Sequence, residues 1–244
     1  MVKAFNTAGW DAMGWNCRSC SGEMNRLARF YHHGDTLDLE TVVAFALEQK
    51  KYTSVALIGF SMGGSMILRL LGGKAASLDP AIQHAVVFSV PCDLLASAAQ
   101  ISKPQNRIYA RRFLKKLERK IRTKAQLFPD LVSYENFHTV KVFKDFDNRY
   151  TAPLHGFKNA EDFYTQASVI RYLDQIRVPT LLVNAQNDPM LTPECFPFAE
   201  AEQNPHLFLE VPRNGGHVGF SKTLSREYWS EKRAVAFVTG QGRV

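Results

Sequence analysis

Cysteine is scarce in this chain, with four in 244 residues: Cys17, Cys20, Cys92 and Cys195. So few thiols exclude a small disulfide-stapled scaffold. Cys17-x-x-Cys20 has the spacing of a metal or redox pair, but no second pair or neighbouring His/Cys cluster completes a site. Structural thiols in a reducing compartment are therefore expected, and no metal. Long apolar runs are missing too. The nearest approach to a membrane span is the uncharged 17-residue stretch Tyr52–Leu68, broken by three glycines and, beyond Ser54, two serines. Met1-Val2-Lys3-Ala4-Phe5-Asn6 lacks the apolar core of a secretory signal. The expectation is a cytoplasmic protein, without internal repeats or low-complexity segments.

Charge of one sign is unevenly placed. The net charge is +7, yet Arg107–Lys124 alone holds nine Lys/Arg and one Glu, which leaves the rest close to neutral. A surface of that kind argues against general nucleic-acid binding. Apolar residues at 45% and charged residues at 22% are ordinary for a globular protein, so the length suits one α/β domain with an insertion.

What the sequence does have is centred on Ser54–Leu68. Val55 to Ile58 is an unbroken apolar run, the pattern of a strand buried on both faces. Met66-Ile67-Leu68-Arg69-Leu70-Leu71 continues as a buried helix. Between them lies Gly59-x-Ser61-x-Gly63, the pattern of a tight strand-to-helix turn that lifts a serine hydroxyl above a sheet. The two glycines are expected where strand and helix approach too closely for side chains. The Met62 amide is then expected at a helix N-terminus, aimed at an oxyanion.

Around this turn the chain alternates. A helix is expected over Val2–Ala8 with Gly9 as its cap, then a strand over Trp10–Trp15. Asn16–Gly34 is a polar loop, and Asp35 is the expected N-cap of a helix from Thr36 to Lys50. A second buried strand covers Ala85–Val90. Residues 95 to about 170 break the alternation, with helices near Ile108–Lys124 and Ala160–Ala167. Strands resume at Val178–Asn184 and His206–Val211, and a helix over Arg226–Val238 closes the chain. Such strand–loop–helix units predict a parallel sheet with its functional loops at the strand carboxyl ends.

That topology makes Ser61, Asp188 and His217 a candidate set, each just after a strand and in the order Ser, Asp, His. Ser61 is the expected nucleophile and His217 the general base and acid. Asp188 is expected to hold the imidazole tautomer. Asp93, after the second buried strand, is a lesser candidate for the acid, and His155 a lesser candidate for a pocket wall. His32 and His33 are adjacent, so they face apart and cannot ligate one metal together. In Arg107–Ile121, apolar residues 110, 113, 114, 117 and 121 make one helical stripe with cations around the rest. The expected role is a helix packed by its stripe with its cations solvated. The alternative is contact with anionic lipid headgroups through Arg111, Arg112, Lys115 and Lys116.

Several stretches together resemble a known family. They are Asn16-Cys17-Arg18-Ser19-Cys20-Ser21-Gly22-Glu23-Met24-Asn25-Arg26, the Tyr31-His32 pair, Gly59–Gly64, the long run Phe146–Phe157, Asn187-Asp188-Pro189 and Gly215–Phe220. The resemblance is to the YheT-like branch of the α/β-hydrolases, relatives of the ABHD lipid hydrolases. It implies an α/β-hydrolase fold, a mostly parallel sheet flanked by helices. Residues 1–94 and 171–244 would form the core, and 95–170 a helical cap insertion. It implies a carboxylic ester hydrolase acting on acyl-chain or lipid-like esters through an acyl-enzyme, without cofactor, its family triad falling on Ser61, Asp188 and His217. Family relatives also transfer acyl groups to alcohols, so an acyltransferase is the near alternative. The family's upstream His-Gly-rich segment, source of a second oxyanion donor, has no counterpart here, so the N-terminal strands are expected to be missing. A catalytically impaired relative that binds ligands or membrane surfaces is the alternative from another class.

Overall fold

The computed structural model describes residues 1–49, 52–221 and 227–241. The described residues within Met1–Trp15, His33–Cys92 and Val169–Val244 form one unit, and Asn16–His32 with Asp93–Ser168 form the other.

The first unit is built on four parallel strands in sequential order: β1 (Val55–Phe60), β2 (Ile82–Phe88), β3 (Thr180–Val183) and β4 (Leu207–Glu210). Their registers bring the carboxyl ends level, with Phe60 opposite Phe88, Phe88 opposite Val183 and Val183 opposite Glu210. The central strands carry continuous apolar sequence because both their faces are covered. Val86, Phe88, Leu181 and Val183 pack with Phe5 of helix α1 (Val2–Thr7) and with Ala234 and Val238 of the closing helix Trp229–Val238. Val87 points the other way, directly toward helix α3 (Met62–Gly73), which follows α2 (Leu37–Gln49) in the chain. The sidedness follows from the period of two along a strand.

The expected strand at Trp10–Trp15 does not form. Its polar and apolar groups are satisfied locally instead: the Trp10 amide donates to the Phe5 carbonyl, its ring meets Phe5 edge-on at 6.3 Å, and Asp11 accepts from the Tyr52 hydroxyl at 2.8 Å. Helix α1 is capped by Ala8, with Gly9 just beyond at φ +82°. Helix α2 starts at Leu37, so Thr36 rather than Asp35 immediately precedes it, its hydroxyl donating to Glu40 at 2.7 Å. The expected start of the closing helix, Arg226, and the expected end of α2, Lys50, lie outside the described residues.

The second unit is helical and irregular. It contains α4 (Leu94–Ile101), α5 (Arg107–Leu127) and the helix Ala160–Ala167. Ala110, Leu114 and Ile121 of α5 are buried, as their stripe predicts, whereas Phe113 is 39% exposed. Lys124 departs from the expected ring of solvated cations, being fully buried. Its ammonium donates to the Asn25 side-chain oxygen at 2.7 Å, to the Asn25 carbonyl at 3.1 Å and to the Leu27 carbonyl. Three donors meet three oxygens, which offsets part of the desolvation cost of a buried amine. Burial, aided by the Arg18 guanidinium, lowers this ammonium to about 8. Asn25 in turn donates to the Leu27 and Arg29 carbonyls and accepts from the Ser19 hydroxyl at 2.6 Å, so one side chain organises the polar loop. Further on, Asp147–Thr151 forms a single π-helical turn. Burial raises the Asp147 carboxyl, whose oxygens accept from Thr151 at 2.5 Å and Tyr164 at 2.7 Å.

Candidate active site

All four carboxyl ends of the sheet take part in one arrangement. At the end of β1, Ser61 sits at φ +50°, ψ −120°, a conformation that L-residues rarely adopt outside such turns. Its amide donates to the Phe88 carbonyl at 2.8 Å, anchoring the turn to β2. A Cβ at position 59 would lie 2.7 Å from the backbone of Gly63, and one at position 64 would lie 2.5 Å from Val90 Cγ2. Position 63 is open: nothing lies within 4 Å of a Cβ there. The close approach that sequence reasoning assigned to Gly59 and Gly63 therefore falls on Gly59 and Gly64. Met62 opens α3, so its N–H has no acceptor within the helix.

Beyond β3, the Asp188 carboxylate is withdrawn from solvent and held by the Met190 amide at 2.9 Å. Beyond β4, His217 brings the ends together. Its Nδ1 lies 2.9 and 3.1 Å from the two Asp188 oxygens, and its Nε2 lies 3.0 Å from Ser61 Oγ. An acceptor-only carboxylate fixes the tautomer: Nδ1–H donates to Asp188, and Nε2 is left to accept from the serine hydroxyl. The three residues picked from the sequence are thus joined by hydrogen bonds in one line.

Other groups position this line, and sequence reasoning passed over them. Asn187 Oδ1 accepts from the amides of Gly215 at 3.0 Å and Gly216 at 2.9 Å, tying the histidine loop to the aspartate loop. Ser89, at the end of β2, accepts from the Val218 amide at 3.0 Å. Fully buried Asn184 exchanges hydrogen bonds with Val90 at 2.7 and 2.9 Å and donates to the Cys195 carbonyl at 2.8 Å. Position 215 must be glycine, because a Cβ there would sit 2.5 Å from the Phe220 ring and 2.7 Å from Ala185. The Asn187-Asp188-Pro189 and Asn214-Gly215-Gly216-His217 runs were the available signal for these contacts.

The lesser candidates fall elsewhere. Asp93 caps α4 in the second unit, accepting from the Ala96 amide at 2.9 Å. His155 accepts from the Phe30 amide, and its ring meets His32 edge-on at 4.6 Å, also in the second unit. His33 lies within 3.2 Å of the buried Ser65 hydroxyl in the first unit. No group of three or more His, Cys, Asp or Glu is placed to hold a metal among the described residues.

A nucleophile turn after β1, an acid after β3 and a histidine after β4 of a parallel sheet are the construction of one fold class. The family model of the alpha/beta hydrolase fold matches residues 1–222, and the chain belongs to that family. It falls in the YheT-like branch: it is 30% identical to YheT of Escherichia coli over 98% of this chain and 71% of that protein. It is 29% identical to phospholipase ABHD3 of Mus musculus over 90% of this chain, and to a monoacylglycerol lipase of Saccharomyces cerevisiae over the same share. The chain spans about half the length of those two relatives, 53% and 50%. Among solved structures, the Pyrococcus furiosus esterase Pf2001 superposes with a TM-score of 0.59 at 17% identity, over 98% of this chain and 73% of that one, which bears on the fold alone.

Proposed function

We propose that this chain is a serine hydrolase of carboxylic esters, working through Ser61, His217 and Asp188 and an acyl-enzyme. The observation that carries the proposal is the single imidazole bridging Ser61 at 3.0 Å and Asp188 at 2.9 Å. His217 Nε2 takes the proton as Ser61 Oγ bonds to the ester carbonyl carbon. The oxyanion that forms faces the Met62 N–H at the start of α3. The intermediate collapses by breaking the bond to the leaving alcohol, which receives the proton from His217. Water then repeats the sequence, with His217 again as base, and releases the acid and free Ser61. Asp188 stabilises the imidazolium in both halves without taking its proton. No cofactor enters this chemistry.

The relatives named for phospholipase and monoacylglycerol lipase activity support acyl-chain or lipid-like esters as the substrate class. A fluorophosphonate probe tests the reading before any substrate is known. The expected result is one adduct on the parent chain, by intact mass, and none on Ser61→Ala. A folded parent that stays unlabelled would overturn it.

A further inference from the structure

The solvent face of α5 has a composition that simple solvation does not require. Arg107, Arg111, Arg112, Lys115, Lys116 and Arg119 are all exposed, and none forms an ion pair among the described residues. The buried stripe Ala110, Leu114 and Ile121 points to the opposite side. At 100° per residue, Ile108, Arg112, Lys115, Lys116 and Arg119 fall together on the outward arc.

Large apolar side chains accompany these cations at the N-terminal end. Ile108 is 82% exposed and Tyr109 45%, and Leu95 of the neighbouring α4 is 51% exposed. Phe113 sits on the shoulder of the buried stripe. Lone exposed apolar residues are ordinary, but Ile108 lies within the cationic arc itself and Tyr109 at its edge, so apolar and cationic groups share one exposed surface.

We propose that this end of the second unit docks on an anionic lipid surface. The cations would meet headgroup phosphates and carboxylates while Ile108 and Tyr109 enter the headgroup–acyl boundary. Charge complementarity names an anionic partner, and the exposed apolar side chains favour lipid over nucleic acid, whose phosphate backbone offers them nothing. No helix among the described residues is long and apolar enough to cross a membrane. The docking does not rest on the ester-hydrolase reading; only the idea that the surface supplies the substrate does.

Vesicle flotation of the full chain tests this, comparing phosphatidylcholine vesicles with vesicles doped with phosphatidylserine. Binding to the doped vesicles alone, weakened by salt, is expected. Each cation near such a surface contributes about a fivefold factor. Joint replacement of Arg111, Arg112, Lys115 and Lys116 by Ala should therefore weaken binding by roughly a hundredfold or more. Ile108→Ser should weaken it several-fold at every salt concentration, because that part is not electrostatic. Both variants should keep the parent's circular dichroism, urea midpoint and turnover of a water-soluble ester. Equal binding to both vesicles, or undiminished binding by the quadruple variant, would overturn the proposal. So would much tighter binding to duplex RNA than to doped vesicles. Loss of ester turnover in the parent would count against the catalytic reading and leave the docking result standing.

Discussion

The two units put their buried polar groups to different uses. In the second unit every buried polar group is closed off. The Lys124 ammonium is spent on three oxygens, and both oxygens of Asp147 are taken by Thr151 and Tyr164. In the first unit the buried groups at the strand ends also find partners, but the chain of contacts terminates at Ser61 Oγ, whose proton has somewhere to go. A satisfied network makes structure; on the function proposed above, one that ends on a serine hydroxyl makes chemistry. Charge is divided as well: the second unit carries the cationic helix α5, and no comparable cationic helix occurs among the described residues of the first.

The largest effects should come from breaking the line in the first unit. Asp188→Asn keeps the shape but offers a donor where the imidazole needs an acceptor, so kcat should fall by about 10⁴ with an unchanged urea midpoint. Asn187→Ala removes the staple between the two loops without touching the reacting groups. As a positioning residue, it should cost roughly 10²-fold in kcat, with KM little changed. Asn187→Asp, which keeps the acceptor oxygen, should recover most of that loss. If Asn187→Ala lowers the urea midpoint and leaves kcat intact, its role is structural only.

How much of this was legible follows from where each partner comes from. The strands could be read because burial on both faces leaves a local trace, Val-Ala-Leu-Ile and Ala-Val-Val-Phe. Ser61, Asp188 and His217 could be picked because topology alone puts each of them past a strand end. Asn187, Ser89 and Asn184 were far harder to pick, since their partners lie 28, 129 and 94 residues away and polar sequence does not say which distant amide a side chain will meet. Lys124 escaped for the same reason: in a run of nine cations, nothing local marks the one that three oxygens will draw inward. Trp10–Trp15 failed in the opposite way, because strand-like composition was satisfied by a neighbouring helix end rather than by a ladder.

The closed network of the second unit should fail as a unit of stability and not of catalysis. Lys124→Met leaves the Asn25 and Leu27 oxygens without their donor, and unsatisfied buried acceptors of this kind cost about 3 kcal/mol near pH 7. The pH dependence gives a sharper readout. Burial lowers the ammonium from 10.5 to about 8, so between those values the unfolded chain holds a proton that the folded chain has released. Stability from this site is therefore lowest below pH 8 and rises as pH climbs toward 10.5. Urea midpoints of parent and variant should diverge across that window, with the parent gaining. A constant gap would show that Lys124 titrates as an ordinary surface lysine.

The smallest effects separate two glycines that are adjacent in sequence. Gly64→Ala would drive a methyl group to 2.5 Å from Val90 Cγ2 and 3.2 Å from Val87, across the helix–sheet contact that seats the serine turn. A tight core resists such additions, so a loss of about 2 kcal/mol is expected. Gly63→Ala meets nothing within 4 Å and lies in the first turn of α3, where alanine is the better helix former by up to about 1 kcal/mol. Thermal midpoints should therefore move in opposite directions, Gly64→Ala down and Gly63→Ala slightly up. If both fall equally, the turn needs glycine at 63 for backbone reasons that open space beside it does not reveal. If neither moves, strand and helix can separate at Val90 without loss, and the serine turn is held chiefly by the Ser61 amide on Phe88.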